Sequence, residues 1–71
     1  MNKKETLKSS IVEYFANVVT SEEALSEAGI SSPIAEEILS LAQIEWDEAD
    51  AEDDEKLNNI IEVTTDKILS L

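Results

Sequence analysis

An all-α fold, a small bundle of three to four helices, is what these 71 residues predict. Three observations carry the expectation. Apolar residues recur at helical spacing in four segments. Those segments are bracketed by residues that start or stop helices. Alternation of β-branched residues, the mark of a half-buried strand, is scarce.

The first segment runs from about Lys3 to Val18. Leu7, Ile11, Phe15 and Val18 step by four, four and three, which is one face of an α-helix. Lys3, Lys4 and Lys8 make this the one part of the chain that is not acidic. A short second helix follows, with Thr20 or Ser21 as its N-cap. Thr20 and Glu23 have capping-box spacing, and Glu22 and Glu23 suit the positive end of the helix dipole. It ends at Gly29, the only glycine, where a left-handed C-terminal residue is wanted.

Ser32 and Pro33 open the third helix as N-cap and first helical residue. Ile38, Leu39, Ala42 and Trp46 share one face, and Ile34, Ile38 and Leu41 form an overlapping stripe. Apolar residues on more than one side predict that this helix is the central, most buried one. Between Glu45 and Glu55, eight of eleven residues are acidic and none is basic. Repulsion among them disfavours helix, so a loop or frayed turn is expected at about Asp47 to Asp54. The last helix runs from about Asp53 to Leu71. Leu57, Ile61, Thr64, Ile68 and Leu71 step by four, three, four and three. That row suits bundle packing or, as the sharper expectation, a homodimer seam through Leu57, Ile61, Ile68 and Leu71.

Size bounds the rest. One acidic domain over residues 1–71 is expected, with a thin core, since a chain of this length buries only ~60% of its unfolded surface. Neither Cys nor His occurs, so no disulfide can brace it and a zinc site would lack its preferred ligands. Self-association is the remaining brace. The N-terminus shows no apolar signal region and no apolar run approaches ~20 residues, so a cytoplasmic protein with no membrane partner is expected.

Charge separates the functional classes. Seventeen Asp and Glu face five Lys, with no Arg, for a net charge of −12. Such a field repels nucleic acid and anionic lipid and attracts basic surfaces. Solubility alone is the plainer use of that charge. Catalysis is not expected, because a bundle this small offers little volume for a pocket and a phosphate-binding glycine loop is absent. No cofactor and no defined metal site are expected. Asp47, Asp50, Glu52, Asp54 and Glu55 depart from the calcium-loop pattern and lack its glycine.

Ser21 to Ile38 has the outline of a helix-turn-helix, with Ala24, Ala28, Ile30, Ala35 and Ile38 at its apolar positions. The second helix would present Glu36 and Glu37 to a DNA groove, with no basic residue near its start. The outline therefore predicts a way of packing two helices, not DNA reading.

Gly29-Ile30-Ser31-Ser32-Pro33, the core spacing that follows, and Glu55-Lys56-Leu57 resemble the acyl and peptidyl carrier proteins, which are acidic four-helix domains. The resemblance runs from about Ala24 to the C-terminus and implies Ser32 as a phosphopantetheine site. Ser31 stands where that family has Asp, Pro33 where it has Leu, and Ala28 where a large apolar residue precedes the glycine. In composition the chain also resembles the small acidic inhibitors that phages direct against host defence or transcription, and bacterial immunity proteins.

The leading functional expectation is a binding module whose acidic surface occupies a basic, nucleic-acid-binding face of a partner protein. Glu45, Asp47, Glu48, Asp50, Glu52, Asp53, Asp54 and Glu55 would form that surface. Trp46 would be its aromatic anchor or else close the core. A degenerate carrier with Ser32 and a structural oligomer subunit are the two other expectations.

Overall fold

The chain, described over residues 2–71 by a computed structural model, forms four packed helices: α1 (Lys3–Phe15), α2 (Ser21–Glu27), α3 (Pro33–Glu48) and α4 (Asp54–Leu69). No strand occurs among the described residues. Helix α1 packs against the other three, and α3 packs against α2 and α4.

Local chemistry sets the helix ends. The side chain of Asn2 accepts from the backbone N–H of Glu5 at 2.8 Å and caps α1. At the start of α2, Thr20 accepts from the Glu23 N–H, and the Glu23 carboxylate accepts from the Thr20 N–H, completing the capping box. Ser32 caps α3 by accepting from the Ala35 N–H, with Pro33 at the first helical position. Asp53 caps α4 by accepting from the Lys56 N–H.

Two helices stop in the same way. Gly29 sits at φ +73°. Its N–H donates to the Ser26 carbonyl, while the Ile30 N–H donates to the Leu25 carbonyl. That pair of bonds is a Schellman motif. Asn17 repeats it after α1: φ is +63°, the Asn17 N–H donates to Tyr14 and the Val18 N–H to Glu13. Helix α1 therefore ends at Phe15, short of the expected Val18, and Val18 lies exposed beyond it. Asn tolerates the left-handed conformation because its short polar side chain bonds locally.

The core is built from Leu7, Ile11 and Phe15 of α1, Leu25 of α2, Ala35, Leu39 and Ala42 of α3, and Ile60, Ile61 and Ile68 of α4. Ser10 and Thr65 are buried among them and donate to the carbonyls of Thr6 and Ile61, one turn back. Their hydroxyls thus enter the core with a hydrogen bond already made.

One expectation about α3 is corrected, and of the two readings of the α4 row the structure shows bundle packing. Helix α3 is not the most buried: Ile34, Leu41 and Ile44 are 60%, 59% and 54% exposed. It is apolar on two sides and the bundle covers only one. The α4 row, in turn, faces inward. Ile61 and Ile68 are 6% and 3% exposed and Thr64 is buried with them, whereas Leu57 is half-buried and Leu71 exposed. A dimer seam through Leu57, Ile61, Ile68 and Leu71 would have to open the bundle, because its two central members already pack within it.

The middle of the molecule keeps the expected helix–turn–helix order. Residues 28–32 link α2 to α3, Ala24 and Ala35 are buried, and Ala28, Ile30 and Ile38 are half-buried.

Candidate acidic binding surface

The acidic run is not one loop. Helix α3 continues through Glu48 and α4 starts at Asp54, so the connection is only residues 49–53. Two contacts keep the last turn of α3 wound against charge repulsion. Trp46 packs on the core with its ring stacked on Phe15, and Ala49 packs beside it while its N–H donates to the Glu45 and Trp46 carbonyls. Glu45, Asp47 and Glu48 consequently project from a helix, Asp50, Glu52 and Asp53 from a turn, and Asp54 and Glu55 from the next helix. All eight are exposed.

Some of these carboxylates have structural work. Asp50 accepts from the Glu52 N–H at 2.9 Å, an Asx turn that reverses the chain, and the Asp53 N–H donates to the Asp50 carbonyl. Asp53 is the cap described above. Asp54 and Glu55 lie in the first turn of α4, where the helix dipole favours them. Glu45, Asp47 and Glu48 are different. They lie at the negative end of the α3 dipole, with no basic residue in that turn. Among the described residues the one bond made by these three side chains is an acceptance by Asp47 from Gln43 Nε2 at 2.9 Å. Like charge at a helix C-terminus costs about 0.3–1 kcal/mol per group at low salt.

The lysines do not offset this. Among the described residues every ion pair lies between α1 and α4: Lys4 lies 3.7 Å from Glu62 and 3.4 Å from Asp66, and Lys8 donates to Glu62. The hydrogen bond and charge of Lys8, with a smaller contribution from Lys4, hold the Glu62 carboxyl below its ordinary value. The carboxylates from Glu45 to Glu55 have no such partner among the described residues. Nor do any three acidic side chains there converge closely enough to hold a metal ion.

Of the other residues singled out from sequence, Trp46 is half-buried, with ring centroids 4.7 Å from Phe15 and planes 18° apart. It braces the acidic surface from beneath. Ser32 is half-buried and its hydroxyl oxygen serves as the α3 cap. No helix is long and apolar enough to cross a membrane among the described residues.

The structure also shows a surface that helical periodicity alone did not assign. Ile34, Ile38 and Leu41 form a row on the outer side of α3, with Ile44 beside it. Ile38, Val63 and Leu71 line an open groove of about 510 Å³ between α3 and α4, together with Asp66, Lys67 and Ser70. The double-sided apolar pattern of α3 was the available signal for this surface. Compared with protein-family models, curated proteins and solved structures, the chain matches none of them.

Proposed function

We propose that this protein is a binding module that docks its acidic α3–α4 corner on a basic surface of a partner protein, most favourably a surface built to hold nucleic acid phosphates. One observation carries the reading. Glu45, Asp47 and Glu48 are exposed at the wrong end of a helix dipole, unpaired with any lysine among the described residues. Folding does not ask for those charges, and solubility is served as well by charges placed elsewhere. A basic groove does ask for them, because carboxylates paired with Lys or Arg make charge-assisted bonds stronger than neutral ones. Binding of this kind blocks nucleic acid from the groove by occupying it.

The test is retention of proteins from lysate on the immobilised chain at low and high salt, beside a bait carrying Glu45→Gln, Asp47→Asn and Glu48→Gln. The parent should retain a basic protein at low salt and release it at high salt, since the Debye length shrinks to ~3 Å at 1 M. The variant should retain less, and the retained protein should lose nucleic-acid binding when the parent chain is added. Equal retention by both baits would leave the acidic corner as a solvated surface only.

A further inference from the structure

The apolar residues of helix α3 extend well past the side that the bundle covers. Ala35, Leu39, Ala42 and Trp46 turn toward the bundle. Ile34, Leu41 and Ile44 lie more than half exposed on the other side, and Ile38 joins them to the groove bordered by Val63 and Leu71, which are 42% and 63% exposed. Glu36, Ser40, Gln43 and Asp47 keep the remaining side of α3 polar, so its apolar arc is wider than the stripe the bundle covers without closing round the helix. The row Ile34, Ile38, Leu41 has the spacing that a second helix meets with its own apolar row.

Charge decides what covers it. Glu37, Glu45 and Glu48 are exposed on α3 along this row, and Asp66 lines the groove on the α4 side. A second copy of the chain would bring the same carboxylates face to face, because a two-fold interface sets one patch against itself, and each copy carries −12. A helix with an apolar stripe flanked by Lys and Arg meets the same surface with attraction on both borders. Lys67 is the only cation in the groove lining among the described residues. Its hydrocarbon stem extends the apolar wall, and its ammonium group would pair with an acidic residue at the centre of the incoming helix.

We infer that the outer face of α3 and the α3–α4 groove form a docking site for a basic amphipathic helix of a partner protein. This rests on the acidic-corner reading and extends it: Glu45 and Glu48 belong to both surfaces, so a partner whose basic groove is flanked by such a helix is held at two adjoining places. Affinity then comes from apolar burial on α3, and steering from the acidic corner.

The probe is a synthetic helical peptide with Leu at i, i+3, i+4 and i+7 and Lys elsewhere. Its controls are a scrambled peptide of the same composition and one with Glu in place of Lys. Methyl carbon–proton spectra of the parent chain should show the Leu–Lys peptide shifting Ile34, Leu41, Ile44 and Val63 at one-to-one stoichiometry. The scrambled and Glu peptides should shift them little. Leu41→Ser with Ile44→Ser, at positions too exposed to unfold the bundle, should weaken binding at least tenfold. The triple variant at Glu45, Asp47 and Glu48 should keep the methyl shifts and bind with less salt dependence. If the scrambled peptide binds as well, and only amides from Asp47 to Glu55 shift, the docking site is refuted while the acidic corner stands. If no cationic peptide binds, both fall. If sedimentation shows a dimer that Leu41→Ser dissociates, a second copy covers the face and the inference is overturned.

Discussion

The ring of Trp46 lies on the ring of Phe15, with centroids 4.7 Å apart and planes 18° from parallel. The contact ties the end of α3 to the end of α1, beside the acidic run. It accounts for a helix that persists through Glu48 although its last turn holds three carboxylates. Phe15 is buried, so Phe15→Ala should cost about 3–5 kcal/mol, against a total stability of roughly 4–10 kcal/mol for a chain of this size. Far-ultraviolet circular dichroism during urea titration should show the variant's midpoint lowered by about a third or more of the parent's. The Trp46 emission of the parent should be blue-shifted relative to that variant. Unchanged emission would mean that the stack does not form.

The two left-handed stops make opposite predictions. At Gly29 an added Cβ would meet nothing within 4 Å, so Gly29→Ala pays for backbone conformation alone. The expected destabilisation is about 1–2 kcal/mol, read as a lower urea midpoint at unchanged slope. Asn17→Gly removes the residual strain at φ +63° and should leave stability equal to or slightly above the parent. A stable Gly29→Ala variant would show that α2 ends otherwise.

Glu62 supplies the pH-dependent clamp between α1 and α4. Because Lys8 and Lys4 hold its carboxyl below the ordinary value of 4.5, the folded state favours the ionised form. Its contribution to stability is complete above the carboxylate range and is lost as pH falls through the lowered folded value. The stability gap between the parent and Glu62→Gln should therefore be widest near neutral pH, shrink as the solution is acidified below about pH 4.5, and narrow with added salt. A gap that grows on acidification would contradict the clamp.

Elements whose limits are written in neighbouring residues were legible in the sequence. Thr20 and Glu23 mark the start of α2, Gly29 its end, and Ser32 with Pro33 the start of α3, each through hydrogen bonds or dihedral limits spanning a few residues. What depends on distant parts of the chain was not. Periodicity shows that Ile61 and Ile68 share a face with Leu57 and Leu71, but the neighbour that covers a face is set by the packing of α1 against α4. The same limit hid which side of α3 turns inward. Asn17 was a missed local signal, since Asn is second to Gly at such stops. The extent of α3 was missed because local repulsion predicts fraying, while the stabilising Phe15 contact comes from thirty-one positions away.

The acidic corner predicts that salt acts in opposite directions on folding and on binding. Repulsion among Glu45, Asp47, Glu48 and the α3 dipole is present in the isolated chain, so screening it should raise the thermal midpoint between low salt and several hundred millimolar. Glu45→Gln, Asp47→Asn and Glu48→Gln should each stabilise the chain by about 0.3–1 kcal/mol at low salt, and the gain should vanish at high salt. Asp50 and Asp53 serve as a control pair, because they hold the turn and cap α4. Their replacement by Ala should destabilise by about 0.5–2 kcal/mol each, whereas Asn, itself a good cap, should be nearly neutral. Partner binding should follow the reverse order. The three α3 variants that fold better should bind a basic surface less well, and salt that steadies the parent should release its partner. Thermal melts and binding isotherms on the same samples at two salt concentrations measure both. If neutralising the α3 carboxylates destabilised the isolated chain, those charges would have a structural role, and they would no longer point to a partner.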